Sequence, residues 1–251
     1  MSMKVTEPRK HEVISMKTIG FLGGMSSQAT AEYYRLINQE VKAIRGGHTV
    51  AEILMYSVNF QNIEAFVRNE QWEDAANYLV DKALRIERGG ADFLIIGTNT
   101  MHRVAPQIAS AIKIPLVHII DVTAEAILRL GLKTIGILGT KPVMEADFYR
   151  NRFKEKFDIE LIAPSDRERE RVDTIIFDEL CHGIISQKSR DEYISAMQNL
   201  ADRGAEGIIL GCTEIDLLVT AENFSELPLF DTTKLHVHKA VNLCLGIEEI
   251  V

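Results

Sequence analysis

The chain contains the same unit twice. Residues 17–24 read KTIGFLGG and residues 133–140 read KTIGILGT, six identities in eight. A second pair follows in the same order and at the same spacing to within two residues, GADFLIIGTNT at 90–100 and GAEGIILGCTE at 204–214. Self-similarity on this scale constrains architecture before any motif does, because each copy must build the same supersecondary unit. Buried parallel strands all resemble one another, being apolar runs that end in glycine. Two ordered matches at one spacing go beyond that general likeness.

Between the matched segments strand patterns alternate with helical ones, the signature of βαβ units and a parallel sheet. In the first half, strands are expected at Thr18–Leu22, Glu52–Val58, Asp92–Ile96 and Leu116–Ile119, with helices at Ser26–Ala43 and Gln71–Arg88. In the second, strands are expected at Thr134–Leu138, Ile159–Ile162 and Gly207–Leu210, with helices near Val143–Lys156, Glu170–Ile185 and Arg190–Arg203. Leu229–Phe230 then leads into a closing helix from Thr232 to about Leu245. The expected fold class is α/β, two pseudo-symmetric parallel-sheet lobes with the active site in the cleft between them. Residues 1–15 are charged throughout and read as a flexible extension; residues 16–115 form the first lobe and 116–231 the second. The closing helix, 232–251, can pack back on the first lobe.

Composition narrows the function. A chain of 251 residues buries roughly 70–75% of its unfolded surface, so it needs neither disulfides nor metal to hold a core. Three cysteines, Cys181, Cys212 and Cys244, cannot all pair, which suits a reducing cytosol better than a secreted framework. A formal charge of −8 argues against a nucleic-acid partner. The densest basic run, Arg167, Arg169 and Arg171, alternates with Glu168 and Glu170 and reads as a solvated helix face. No apolar window reaches the length of a membrane helix, so no membrane partner is expected.

In parallel α/β sheets ligands bind beyond the carboxyl ends of the strands. Four strand ends carry small polar residues: Gly23-Gly24-Met25-Ser26-Ser27, Gly97-Thr98-Asn99-Thr100-Met101-His102, Gly139-Thr140 and Gly211-Cys212-Thr213-Glu214. Each precedes an expected helix start, where unpaired N–H groups favour a carboxylate or phosphate. The repeat aligns Thr98 with Cys212, so paired lobes would bring a hydroxyl and a thiol to opposite sides of one cleft. A cysteine at a strand-to-helix turn is expected to ionise readily; the competing fate of a free cysteine is to be a small buried packing residue. Cys181 and Cys244 lie in helical patterns and read as packing residues.

Other motifs are weaker. GFLGGM is not the dinucleotide fingerprint, and Ser57-Val58-Asn59 supplies no acid for a ribose. His236 and His238 fall on different helix faces, so no metal is expected there. A Cys-His-Asp hydrolase built from Cys212, His102 or His236, and Asp231 is conceivable. His118 reads as a satisfied strand-end histidine.

IGFLGGMS at the start, TNTMH at Thr98–His102, ILGT at Ile137–Thr140, GCTEI at Gly211–Ile215 and FDTT at Phe230–Thr233 occur in one order. With them the sequence from Met16 onward resembles the cofactor-independent aspartate/glutamate racemases, in particular the L-aspartate/glutamate-specific branch with threonine in place of the first catalytic cysteine. The resemblance implies two similar lobes, a site between them and a cytoplasmic homodimer. It implies two-base proton transfer at Cα of a small amino acid, aspartate or glutamate, without pyridoxal phosphate, metal or other cofactor. Cys212 would abstract the proton of the L-enantiomer and Thr98 would return one to the other face. A threonine is a far poorer base than a cysteine near neutral pH, so α-proton exchange from the D-substrate should be slow. Met25, Ser26, Asn99, Thr100, Thr140 and Thr213 match substrate-holding positions, and His102 and Glu214 would tune or orient the acid/base pair.

The side-chain carboxylate is harder to place: the loop from Ser57 to Asn62 carries no positive charge. Lys141, Arg68 and Arg171 are the candidate substitutes. Two other functions compete with racemisation. One is a single-cysteine decarboxylase or cis–trans isomerase of a small dicarboxylate; the other is a non-catalytic amino-acid-binding protein.

Overall fold

The computed structural model describes residues 15–249, so the extension expected over 1–15 lies, except for Ser15, outside the described residues. Two four-stranded sheets, all parallel, form the two lobes. The first runs β2 (Ile53–Ser57), β1 (Ile19–Gly23), β3 (Phe93–Ile96), β4 (Leu116–Val117). The second runs β6 (Glu160–Ile162), β5 (Thr134–Leu138), β7 (Gly207–Leu210), β8 (Leu229–Asp231). The central strands β1, β3 and β7 are buried throughout and β5 from Ile135 onward, as helices on both faces of a parallel sheet require.

The repeat is exact enough to conserve register. Leu22 pairs with Ile96 in the first sheet and Leu138 with Leu210 in the second. Even the bonds leading out of the strands recur: Gly97 N–H donates to the Leu22 carbonyl at 3.0 Å, and Gly211 N–H to that of Leu138 at 2.7 Å. At the other end Asp92 receives the Thr18 amide at 2.6 Å, and Glu206 receives that of Thr134 at 2.8 Å. Thr98 and Cys212 therefore stand at equivalent positions, two residues beyond the last paired residue of each inner strand.

Helix boundaries follow local chemistry. α1 (Ser27–Arg45) starts where Ser26 Oγ accepts the Ala29 amide at 3.2 Å, and it buries Tyr33, Ile37 and Val41 at helical spacing. Gly24, at φ +89°, lets the loop before α1 lie against β2, because a Cβ there would meet the Val58 backbone at 2.3 Å. α3 (Trp72–Arg88), α7 (Asp147–Phe157) and α9 (Gln187–Asp202) also follow the expected pattern.

Several expectations need correction. Leu116, the expected start of the second lobe, lies in β4, which pairs with β3 and closes the first sheet. The strand expected to reach Ile119 stops at Val117, because His118 Nδ1 accepts the Ile120 amide and caps α5 (Ile119–Arg129). α2 (Phe60–Arg68), α4 (Ala105–Ala111) and α5 have no counterpart in the sequence reading. The helix expected over Val143–Lys156 is split in two: a short α6 (Lys141–Glu145) holds Val143, and extended Ala146 separates it from α7. The helix expected over Glu170–Ile185 is broken: α8 (Asp166–Thr174) passes into a π turn at Ile175–Glu179 and a 3₁₀ turn at Leu180–His182. Cys181, on that last turn, is exposed rather than packed, whereas Cys244 is buried.

The lobes exchange helices. α5 follows the last strand of the first sheet, yet Ile119, Ile120, Ala124 and Ile127 belong to the core of the second lobe. α10 (Thr232–Cys244) follows the last strand of the second sheet, yet Val237, Ala240 and Val241 pack with Phe21, Tyr33 and Ile37 of the first. α5 and α10 also contact one another. The exchange locks the carboxyl ends of the two sheets together.

Candidate active site

The carboxyl ends of β3 and β7 are joined by one polar side chain. Asn99, beside Thr98, is 6% exposed and reaches into the second lobe. Its Nδ2 donates to Thr232 Oγ1 at 3.0 Å, and its Oδ1 accepts from the Tyr149 hydroxyl at 3.1 Å. The Thr232 hydroxyl in turn donates to the Leu210 carbonyl at 3.0 Å, two residues before Cys212. Asn99, expected to hold substrate, thus has both ends of its amide engaged in a strut between the Thr98 loop and the Cys212 strand. Satisfied buried amides of this kind rigidify what they connect.

The thiol is not held as a thiolate. Cys212 Sγ donates to Glu214 Oε2 at 3.0 Å, and the Thr213 hydroxyl donates to the same oxygen at 2.5 Å. Burial, and after it the Glu214 carboxylate, push the Cys212 thiol well above its ordinary value. The expectation of a readily ionised cysteine is corrected for this reason: the group beside the sulfur is an anion rather than a cation.

Behind Thr98 lie three imidazoles. His102 is 1% exposed; its Nδ1 lies 2.7 Å from the Thr98 carbonyl and its Nε2 accepts the Ile119 amide at 3.2 Å. His236, also buried, contacts the Val117 carbonyl through Nε2 at 2.9 Å and the Tyr33 hydroxyl through Nδ1 at 3.0 Å. The rings of His118 and His236 lie 4.6 Å and 5.8 Å from that of His102. Burial holds all three below the usual histidine range, His236 at about 4. With both nitrogens of His102 and His236 engaged, neither is available to Cys212, and Asp231 is taken up capping the Thr233 and Lys234 amides. The Cys-His-Asp hydrolase is therefore not assembled.

The remaining expected residues are placed as follows. Met25 is buried in the first-lobe core, and the Ser26 hydroxyl is occupied as the α1 cap. Thr100 is partly buried at the start of a 3₁₀ turn, Thr100–Val104. Thr140 Oγ1 is the one buried side-chain polar atom without a hydrogen-bond partner among the described residues. It stands at the start of α6, whose first amide, from Lys141, is already given to Asp173 at 2.6 Å. Helix-start amides expected to receive a ligand are thus partly satisfied by the protein itself: Asp173 at α6, Ser26 at α1, and Thr30 for the Gly24 amide.

None of the proposed counter-ions for a side-chain carboxylate is unengaged. Arg68 is bonded to Glu64 at 2.6 Å and largely exposed, Lys141 lies 3.9 Å from Glu170, and Arg171 is paired with Glu192 and Glu179. The Glu179 and Glu192 partners, the Tyr149 strut and the Asp173 contact are tertiary features that no local sequence signal marks. Among the described residues no group of His, Cys, Asp or Glu is arranged to hold a metal ion, and no helix is long and apolar enough to cross a membrane.

Comparison with known proteins gives the family. Residues 22–240 match the family described as Asp/Glu/Hydantoin racemase. The structure resembles that of a candidate Asp/Glu racemase from Yersinia pestis, with 47% identity, 92% of this chain and 100% of that one covered, and a TM-score of 0.88. It also resembles an aspartate racemase homologue from Pyrococcus horikoshii, with 34% identity, 91% and 99% covered, and a TM-score of 0.80. In sequence it is similar to the broad specificity amino-acid racemase RacX of Bacillus subtilis, 22% identical over 91% of this chain and 98% of that protein.

Proposed function

The chain belongs to the Asp/Glu/hydantoin racemase family and is an amino-acid racemase; on that premise we propose that Cys212 and Thr98 are its two acid/base groups. The observation that carries the proposal is their equivalence: a thiol and a hydroxyl at matched register positions in two sheets, tied together by Asn99, Thr232 and the Leu210 carbonyl. Proton transfer at Cα needs groups on both faces of one carbon. Two lobes related by a repeat supply such opposed groups more directly than one lobe could.

In the proposed mechanism Cys212 acts on the L-enantiomer. Glu214 accepts the Sγ–H hydrogen bond at 3.0 Å; the substrate's α-ammonium, close to that carboxylate, offsets the charge that holds the thiol proton, and the thiol gives that proton to solvent. The thiolate removes the α-proton, leaving a carbanion in conjugation with the α-carboxylate. Thr98 then gives its hydroxyl proton to the opposite face and recovers one from solvent, and the α-proton gathered by Cys212 restores its resting thiol. Unpaired Thr140 Oγ1 supplies a donor to the carboxylate as charge builds on it. Met25, Ser26, Thr100 and Thr213 border the same strand ends, and Asn99 contributes by fixing the distance between them. No step draws on a cofactor.

Aspartate and glutamate are the first substrates to test, on the strength of the two similar structures. The similarity to RacX and the engaged state of Arg68, Lys141 and Arg171 call for neutral and basic amino acids in the same panel. The experiment is proton NMR in deuterated buffer with both enantiomers of each amino acid, wild type against Cys212→Ser, followed by chiral analysis. Loss of the L-substrate α-proton with formation of D-product, abolished by Cys212→Ser, supports the proposal. Exchange that survives Cys212→Ser removes Cys212 as the base. Carbon dioxide release or alkene isomerisation from a small dicarboxylate, without α-proton exchange of any amino acid, would favour the single-cysteine alternative.

A further inference from the structure

We infer that His102 is a positioning residue for Thr98, fixing the direction of its hydroxyl by holding the Thr98 backbone carbonyl. The inference rests on the two-base reading above. The Ile119 amide is the first of α5, and such an amide has no partner within its own helix. It donates to His102 Nε2 at 3.2 Å, which requires that nitrogen to be unprotonated. The proton of the neutral ring is then on Nδ1, aimed at the Thr98 carbonyl 2.7 Å away. One ring thus spans two elements: the Thr98 loop of the first lobe, and a helix whose buried face belongs to the core of the second.

Three features make this a constraint rather than an incidental contact. The ring is 1% exposed, so water cannot replace either bond. Its neighbours His118 and His236, at 4.6 Å and 5.8 Å, limit its rotation. Holding the carbonyl of Thr98 restricts the peptide plane between Thr98 and Asn99, and with it the direction in which the Thr98 side chain leaves the backbone. A neutral ring also keeps both bonds across the working pH range, since burial holds the His102 imidazolium form out of reach.

The second lobe has no counterpart. By the repeat His102 corresponds to Asp216, which pairs with Lys234 at 2.7 Å, while Cys212 is bonded to Glu214. Loss of the His102 contact should therefore impair one face of the reaction only. With Thr98 misdirected, the carbanion made by Cys212 is reprotonated from the face it left, and deuterium appears in L-substrate without inversion.

The test uses full-length protein and an amino acid that the wild type turns over. In deuterated buffer, NMR and chiral analysis give the ratio of deuterated L-substrate to D-product formed from L-substrate. His102→Asn puts an amide nitrogen near the place of Nδ1 and keeps a donor for the Thr98 carbonyl. His102→Gln extends to the place of Nε2 and keeps an acceptor for the Ile119 amide instead. The expected result is a ratio raised about tenfold or more in His102→Gln, given the sensitivity of proton transfer to small misplacements, with His102→Asn much nearer wild type. Equal loss of washout and inversion in both variants would reduce His102 to a packing role and overturn the inference.

A measurement on the unaltered protein covers the case in which the variants do not fold. Long-range ¹H–¹⁵N correlation identifies the His102 tautomer, and an Nδ1–H ring is required; an Nε2–H or doubly protonated ring overturns the inference. If the wild type exchanges no amino-acid α-proton, or Cys212→Ser leaves exchange unchanged, the two-base reading itself falls, and the role assigned to His102 falls with it whatever its tautomer.

Discussion

The strand ends that carry Thr98 and Cys212 have the same backbone and opposite surroundings. Each follows a glycine whose amide bonds back to the central strand of its sheet. Around Thr98 the protein places neutral groups, His102 on its carbonyl with His118 and His236 behind. Around Cys212 it places an anion, Glu214, which takes hydrogen bonds from both the thiol and Thr213. Parallel pairing dictates the peptide geometry of a strand end, so duplication preserved it. Side chains beyond the last paired residue carry no such obligation, and there the copies diverged. A pseudo-symmetric fold can thus surround two matched strand ends with chemically unlike groups.

That comparison can be broken from either side. The largest effect expected is from Cys212→Ser, which should slow α-proton washout from the L-enantiomer by roughly 10³-fold, the range in which general acid–base groups contribute; NMR in deuterated buffer reads it directly. A residual rate within tenfold of wild type would mean that the anionic side is not the base.

Acid should act on the neutral side. His236 titrates at about 4 in the fold against 6.5 unfolded, so between those values the unfolded chain binds more protons. The stability this neutral histidine confers is complete above pH 6.5 and is lost as pH falls toward 4. Full loss amounts to roughly 3 kcal/mol. Urea unfolding across this window should show stability falling with acidity, and His236→Gln should flatten part of the slope. An unchanged slope would mean that the cluster is more open to water than its burial indicates.

Making the two ends alike is the next test. Thr98→Cys should quicken exchange of the D-substrate by on the order of 10²-fold, because a thiol is better matched than a hydroxyl to proton abstraction near neutrality. No acceleration in chiral-resolved exchange assays would reverse the assignment of faces. Glu214→Gln addresses the other end: without the anion the Cys212 thiol should ionise at lower pH, seen in the pH profile of its alkylation, while L-substrate exchange falls by about tenfold as the charge that draws in the substrate's α-ammonium is lost. If the alkylation profile does not move, Glu214 is not what restrains the thiol. The smallest change expected is from Thr232→Val, which cuts the strut between the lobes and should cost about 1 kcal/mol in urea unfolding. A double-mutant cycle with Asn99→Ala should give less than the sum of the two single effects.

Much of this was legible in the sequence because it depends on short-range pattern. Thr134–Leu138 and Gly207–Leu210 are apolar runs that only buried strands accommodate, and the structure has strands at those same residues. The alignment of Thr98 with Cys212 needed only the repeat. The start of α5 looks like strand in the sequence: Leu116 through Ile120 is apolar but for His118 and mostly β-branched, and only the cap that His118 offers to the Ile120 amide separates the two states. The exposure of Cys181 is not legible in the sequence, because the helical pattern over Glu170–Ile185 does not reveal the π turn and the 3₁₀ turn that follows it, on which the thiol lies at the surface.

The site divides the same way. Its residues lie at strand ends, which sequence periodicity locates. Their states do not follow from sequence: that Cys212 is a thiol, that Asn99 is a strut and that His102 is neutral depend on groups distant in the chain. Glu179 and Glu192 hold Arg171, Thr232 and Tyr149 engage Asn99, and the Ile119 amide donates to one nitrogen of His102 and so selects the tautomer that leaves it unprotonated. The sequence by itself determined two parallel-sheet lobes and the alignment of Thr98 with Cys212 at their strand ends, because hydrophobic periodicity and a repeated pattern act over a few residues. Only the tertiary structure decided which proton each group carries, because protonation answers to burial and to partners that the exchange of α5 and α10 brings together.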